Sequence, residues 1–438
     1  MTRIETARLI PNQRWLRVLP PIVLVYTLNF IDRTNIAFAI AGGMNAELGL
    51  SASVAGLAAG IFSIGYLLLQ VPGGDIAAKR SAKRYVTWSM IAWAIIAMGT
   101  GFAANTWQLM TLRFLLGVAE GGTYPALLVL ISNWFPREES GRANSIFMFG
   151  ASLANFVTGP LSGWIISLYG WREVFFIEGA LPLVALLFWL PMVSDRPETT
   201  GWLAPEERDY IVTKLAQEQK ALAGRGSYKE ILADSNLWKL SAIYFLFQIG
   251  MNSYIYWLPT ILRSLTQSGI ATIGLLAALP YLFTMLGQYG FGALSDRTGN
   301  RRLYMVLPAL CFAGALVLSV LTHGTIWLSY AFLVACGAVY SAHNGVFWTV
   351  PPALFPREIA GGARGIINGL GNLGGFVGPV LIGWSITMFH STNGALYALA
   401  VVPILNAILI YTLPSALSHQ IVHQAALPSG TAQRDKAA

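Results

Sequence analysis

Residues 18–42 read VLPPIVLVYTLNFIDRTNIAFAIAG, an apolar run broken only by Asp32-Arg33. A helix needs about 20 apolar residues to cross ~30 Å of hydrocarbon, so this stretch is long enough to span a bilayer. A charge near the middle of such a helix costs roughly 2.5–3.5 kcal/mol on the insertion scale. It therefore faces the protein interior or a water-filled path and marks a functional site. Residues 106–131, TWQLMTLRFLLGVAEGGTYPALLVLI, repeat the pattern with Arg113 and Glu120. Two carboxylates and two guanidinium groups in otherwise greasy helices suggest a path for an anion and a proton.

Eleven more such stretches follow the first. The twelve run over about 17–41, 54–74, 85–104, 107–134, 143–169, 171–192, 239–262, 271–294, 303–322, 325–353, 362–389 and 393–415, and are called spans 1–12 below. Of the 438 residues, 55% are hydrophobic and 11% charged, against about 25% charged in a soluble domain. The ten-residue alternating segments of a β-barrel are absent. The fold class is thus an all-α membrane protein of twelve transmembrane helices.

The net charge of +8 is distributed as an orientation signal. Of 28 Lys and Arg, 24 fall in the N-terminal tail, the even-to-odd loops and the C-terminal tail, while only Arg172 and Arg263 fall on the other side. This positive-inside bias places both termini and the 193–238 loop in the cytoplasm and excludes a nucleic-acid footprint. Cys311 and Cys336 lie in apolar segments and read as small hydrophobes. The first residues show no cleavable signal, so span 1 directs insertion.

The polar stretch 193–238 divides the chain into six spans and six: an N-terminal bundle (1–192), a cytoplasmic linker (193–238), a C-terminal bundle (239–416) and a tail (417–438). Within the linker, PEERDYIVTKLAQEQKAL has Pro at the first helical position and acids in the first turn, which predicts a short surface helix. The halves resemble each other. Phe135-Pro136-Arg137-Glu138 recurs as Phe355-Pro356-Arg357-Glu358 at an offset of 220, and Gly159-Pro160 recurs as Gly378-Pro379. Parallel six-span repeats are a recurring transporter plan, with substrate held near the midplane between rocking halves.

The loop between spans 8 and 9, Gly292-Ala293-Leu294-Ser295-Asp296-Arg297-Thr298-Gly299-Asn300-Arg301-Arg302, matches the G-x-L-x-D-R-x-G-x-R-R motif of the major facilitator superfamily. In the matching loop between spans 2 and 3, Ala78 stands where that family has Asp, and Asp75 lies about one turn early. Within the superfamily the chain resembles the anion:cation symporter family, which includes sugar-acid importers and sialin-like carriers. The likeness rests on Asn29-Phe30-Ile31-Asp32-Arg33-Thr34-Asn35, on Arg113, on Glu120-Gly121-Gly122-Thr123-Tyr124-Pro125 and on Trp134-Phe135-Pro136. It implies two bundles in the major facilitator fold, substrate contact at Arg33, proton coupling at Asp32 and Glu120, and gating at Asp296, Arg297 and Arg301.

The residues support these roles on their own chemistry. Arg33 offers a planar fork suited to a carboxylate; its alternative is an ion pair with Asp32 or Glu120. Glu120 is the best proton carrier, since desolvation and a nearby cation pull a carboxyl in opposite directions. Arg113 lies seven residues earlier, about 20° off the same helix face and about 10.5 Å away. Arg113 is therefore expected to pair with Asp32, with Gly117 leaving room on that face. A static network joining spans 1 and 4 is the competing reading. Glu178 and His343 read as structural. Tyr66 and Gln70, Asn252 and Tyr256, Asn344 and Trp348, and Asn368 and Asn372 form i,i+4 pairs, each lining one helix face and suited to a hydroxyl-rich substrate.

No nucleotide loop, metal-ligand spacing or nucleophile motif is present, so an ion or substrate gradient must supply the energy. No enzymatic activity and no cofactor are expected, and the longest polar segment is too short for a receptor domain. The expectation is a proton-coupled symporter of a small organic anion, acting as a monomer in the cytoplasmic membrane. The alternative is an exchanger or exporter of the same fold. Gly150, Gly159-Pro160 and Gly163 partly resemble the span-5 signature of antiporter members, with Trp164 where that signature has Gly.

Overall fold

The computed structural model describes residues 12–221, 232–355 and 357–414. The expected tail, 417–438, and part of the linker lie outside the described residues. Among the described residues every regular element is helical. The spans are Leu19–Ala39, Ala52–Lys79, Ala82–Thr100, Thr106–Glu120 with Thr123–Trp134, Arg137–Tyr169, Trp171–Met192, Ser235–Thr266, Ile270–Thr298, Arg301–Leu321, Ile326–Phe347, Arg357–Asn372 with Gly374–Phe389, and Thr392–Tyr411.

Ten of these are long and apolar enough to cross a membrane by length and composition alone. The other two are spans 3 and 7. Span 3 is short and carries Lys83 and Arg84, and span 7 is diluted by Gln248, Asn252 and several tyrosines. Many helices overrun their apolar stretches, because a helical backbone satisfies its own polar groups in water as well as in lipid. Short loops are possible because the helix starts are capped locally. Ser81 accepts from the Arg84 N–H at 3.0 Å, Asn105 from Gln108 at 3.0 Å, and Asn300 from Leu303 at 3.0 Å.

Both copies of the Phe-Pro-Arg-Glu repeat mark a helix start, at Arg137 and at Arg357. The linker helix forms as Pro205–Ala221, docked rather than loose. Arg14 donates to Glu139 at 2.5 Å and to Glu207 at 2.6 Å, and Trp202 stacks on Trp134 with centroids 5.4 Å apart. Span 4 is interrupted at Gly121-Gly122 and span 11 at Leu373, rather than at a proline; Pro160 and Pro379 lie inside helices.

The first and last six spans touch at the end of the molecule away from the N-terminus. Ser53 bonds Thr387 at 2.7 Å there. Spans 5 and 8 cross at Gly159 and Gly274: a Cβ added to Gly274 would stand 2.2 Å from the Gly159 carbonyl oxygen. One apolar core, including Trp93, Trp134 and Trp189, lies wholly within residues 18–211. The other fills the last six spans and continues into Ile36–Ala59, Ala103–Met110 and Ile165–Phe175 of the first six. Those three segments all lie at the end away from the N-terminus, so the halves share a core at that end.

Candidate functional site

Span 1 places Asn29 and Arg33 one helical turn apart on one face, where both meet Glu120 at the interruption of span 4. The Arg33 Nε donates to Glu120 Oε2 at 3.0 Å, and the Asn29 amide donates to the same oxygen at 2.8 Å. Glu120 is fully buried while the Arg33 side chain is 14% exposed. The guanidinium lies over the Tyr66 ring at 4.2 Å, with Phe30 and Phe62 at 5.0 and 5.2 Å; such faces attract a cation. The Arg33 Nη2 has no protein partner. One prong of the fork is thus held by Glu120, while Nη2 is buried without a protein acceptor.

Arg113 is wholly buried, and the expected pair with the Asp32 carboxylate is not made. Its Nη1 and Nη2 donate at 3.3 Å to the backbone carbonyls of Asp32 and Arg33, and its Nε to that of Ala58 at 3.5 Å. Adjacent residues on a helix point about 100° apart. The Asp32 carboxylate therefore makes no bond to Arg113, and Glu120 of span 4, Glu178 of span 6 and Trp93 of span 3 lie around it. Gly117 gives no room either, since a Cβ there would stand 2.1 Å from the Phe62 carbonyl oxygen. The space is filled by the backbone of span 2.

The remaining expected site residues have partners other than those the sequence suggested. Tyr256 is buried in span 7, close enough to Arg113 of span 4 to interact electrostatically. Tyr66 and Gln70 are both nearly buried. The Asn252 amide donates to its own helix at Gln248 O, 2.9 Å, and lies beside Gly375 and Ser63. Asn372 accepts from Gln248 at 2.8 Å, tying span 7 to span 11. Asn344 has a buried oxygen without a protein partner, and Trp348 packs edge-on against Tyr244 at 5.0 Å. Asn368 is half-buried one turn before Asn372.

Several neighbours were not read from the sequence. Asn29 was readable, because it stands four residues before Arg33. Gln248 was readable as four residues before Asn252. Tyr26, Tyr124 and Tyr244 lie close enough to one another and to Tyr66 to interact electrostatically; single tyrosines on four separate helices give no local signal. His343 is fully buried, stacked on Phe247 at 5.0 Å, with neither ring nitrogen bonded.

At the span 8–9 loop Arg301 donates to Thr349 O at 3.2 Å, joining the loop to the end of span 10. Arg297 is exposed in the last turn of span 8. The Asp296 side chain lies outside those described. In the matching loop Asp75 pairs only with the exposed Lys79, at 2.8 Å. Asp195 of the linker instead caps span 3, accepting from Ser81 Oγ at 2.6 Å and from the Lys83 N–H at 2.8 Å.

This is a multi-pass membrane transporter architecture. The sequence model described as Major Facilitator Superfamily matches residues 22–379 and 266–434, and the chain belongs to that superfamily. It is similar to a "Putative tartrate transporter" of Agrobacterium vitis, 33% identical over 93% of each chain. It is also similar to "Inner membrane transport protein RhmT" of Escherichia coli, 30% identical over 91% of this chain and 93% of the relative. Among solved structures, a bacterial homolog of the human lysosomal transporter Spinster matches with a TM-score of 0.74 at 20% identity, covering 92% of this chain and 97% of the other. That match shows the fold.

Proposed function

We propose that this protein is a proton-coupled symporter of small organic anions, carboxylates such as tartrate or a sugar acid, across the cytoplasmic membrane. The observation that carries the reading is the Arg33–Glu120 pair at 3.0 Å. A buried guanidinium partly engaged by a buried carboxylate is a poor receptor for a second carboxylate. When Glu120 takes a proton, the charge of Arg33 is left uncompensated, and an anion can restore the balance. An anion at Arg33 in turn favours a proton on Glu120, since coupling between two ligands is reciprocal. Binding of either partner alone is disfavoured, which is the requirement for symport. Support for the substrate class comes from the chemistry of the fork and from the similarity to a protein named for tartrate.

In this reading Tyr66, Gln70, Asn252, Tyr256, Asn344, Trp348, Asn368 and Asn372 supply hydroxyl- and amide-binding groups around the anion. Asp32 is a second acid of the proton path. Arg113, pinned to backbone carbonyls, fixes spans 1 and 2 and lies near Tyr256 of span 7. The N-terminal bundle (1–192) and C-terminal bundle (239–416) rock about the site as a monomer, and the linker helix Pro205–Ala221, held by Arg14, travels with the first. The positive-inside charge bias puts both termini in the cytoplasm. The end where the halves meet through Ser53 and Thr387 is then the outer one. Asp296, Arg297 and Arg301 secure the cytoplasmic end when it closes.

The test is uptake of labelled tartrate and galactarate into proteoliposomes under an imposed pH gradient, with a neutral sugar as control. Accumulation above equilibrium with the gradient, abolished by a protonophore, is the expected result. Accumulation driven only by an opposing gradient of internal anion identifies an exchanger instead.

A further inference from the structure

Span 1 carries a second polar face. Asp32 and Asn35 stand one turn apart, turned about 100° from the Arg33 face, and are each 1% exposed. Against them lies Glu178 of span 6, also 1% exposed. Ser162 of span 5 donates to Glu178 Oε1 at 2.7 Å; Asn35 lies against Glu178, and Trp93 of span 3 against Asp32. Both Asp32 oxygens and Glu178 Oε2 have no protein partner.

The charged groups facing this cluster are few. Span 4 brings Glu120 and Arg113 toward Asp32. Arg113 is committed to three backbone carbonyls, and Arg33 of span 1 to Glu120. Span 3 contributes Trp93 and span 5 Ser162, neither of them charged. Spans 3 and 5 carry their charged residues only toward their N-terminal ends, and span 6 carries Arg172 and Glu173 at its start.

We propose that Glu178, buried between spans 5 and 6 with one oxygen held by Ser162 and the other unpartnered, holds a coupling proton of the transport cycle, with Asp32 of span 1 a second unpaired acid of the same bundle. The proposal rests on the symport reading above. An ionised carboxylate buried without a cation costs several kcal/mol. A protonated carboxyl, by contrast, gains an O–H donor that suits the unpartnered Asn35 oxygen. A buried acid with a free oxygen beside neutral polar groups is thus suited to take up and release a proton during the cycle. The proton taken up from the outer side binds the Glu178 carboxyl, and the same proton leaves to the cytoplasm; no other bond changes. Span 1 links this acid to the substrate site, because its two faces turn together.

The experiment uses the full chain. Glu178→Gln removes the acid and keeps an amide of the same shape, and Glu178→Asp keeps the acid. Tartrate accumulation under a pH gradient is measured at zero voltage, tartrate counterflow with equal pH on both sides, and the infrared carbonyl band of protonated carboxyls across a pH titration. In Glu178→Gln, accumulation is expected to fall at least tenfold with counterflow within about twofold of wild type. The titrating part of the band should shrink, and Glu178→Asp should restore both. Wild-type accumulation in Glu178→Gln overturns the proposal, as does a band that does not titrate. So does loss of counterflow together with accumulation in both variants, which marks a packing role. If wild-type protein shows no pH-driven accumulation, the symport reading fails by itself, and the infrared titration still decides whether Glu178 takes up a proton.

Discussion

Replacing Glu120 by Gln tests the competition at Arg33 most directly. In the structure one oxygen, Oε2, receives both the Arg33 Nε at 3.0 Å and the Asn29 amide at 2.8 Å. An anion binding at Arg33 must displace a charged competitor unless Glu120 is protonated first. The sign follows: protonation favours the anion, so affinity is greatest at low pH and falls as pH rises through the titration of Glu120. Each linked proton changes the dissociation constant up to tenfold per pH unit, about 1.4 kcal/mol. Over two units on the alkaline side, wild-type affinity for a fully ionised sugar acid should weaken by up to about 100-fold.

Glutamine keeps the volume and an acceptor oxygen for Arg33 and Asn29, but no charge. The slope of log Kd against pH should fall by one, and the variant should bind more tightly than wild type at the alkaline end. Calorimetry of the purified protein at several pH values measures this, and the protons taken up per anion bound should fall by one in unbuffered solution. In vesicles the variant should lose pH-driven accumulation and retain counterflow. An unchanged slope in Glu120→Gln would falsify the competition and leave the pair as a static tie between spans 1 and 4.

Arg33→Lys keeps the charge but loses the fork; with charge-assisted bonds worth about 1.5–3 kcal/mol, anion affinity should weaken about 10- to 100-fold at unchanged melting temperature, and equal affinity by calorimetry refutes the clamp. Two working acids imply two protons per anion, so with a monovalent sugar acid as substrate, rather than the dianion tartrate, net positive charge moves inward and a 100 mV interior-negative potential should add about 2.3 kcal/mol of drive; uptake of the monovalent acid that is indifferent to a valinomycin clamp leaves one working proton. Arg14→Met leaves the fully buried Glu207 and the partly buried Glu139 without their shared cation, and breaking such a pair costs about 3–5 kcal/mol, so thermal unfolding in detergent should shift clearly downward, while an unchanged midpoint shows that the linker contributes little.

The membrane spans were legible because lipid imposes a length and a composition on each helix. The pairing of the charges was less so. Residue numbers give the angle of a side chain about its own helix, so the separation of Asp32 from Arg33 and the absence of a direct Arg113–Glu120 bond followed from geometry. They do not say which neighbouring helix occupies that angle. Arg113 therefore looked like the partner of the Asp32 carboxylate, whereas span 2 and the carbonyl edge of span 1 receive it. Gly117 failed for a related reason. A missing side chain reads as free space in one helix, but in a packed bundle it is where the next backbone arrives.

The resulting division of labour on span 1 bears on how coupling works. Asn29 and Arg33 look toward the interface of the halves; Asp32 and Asn35 look into the first bundle. A helix of fixed pitch cannot move one face without the other. An anion pulling on Arg33 therefore acts on the surroundings of Asp32 through one rigid element, with no chain of intermediate contacts. The outer end, where Ser53 meets Thr387 and Gly159 meets Gly274, restrains the halves but leaves the cytoplasmic ends to respond. Coupling then needs two events at span 1, neutralisation of Glu120 on one face and protonation of a buried acid on the other. Two acids on different faces of one helix can report two protons to one substrate, which is why the voltage dependence of uptake decides between one working face and two.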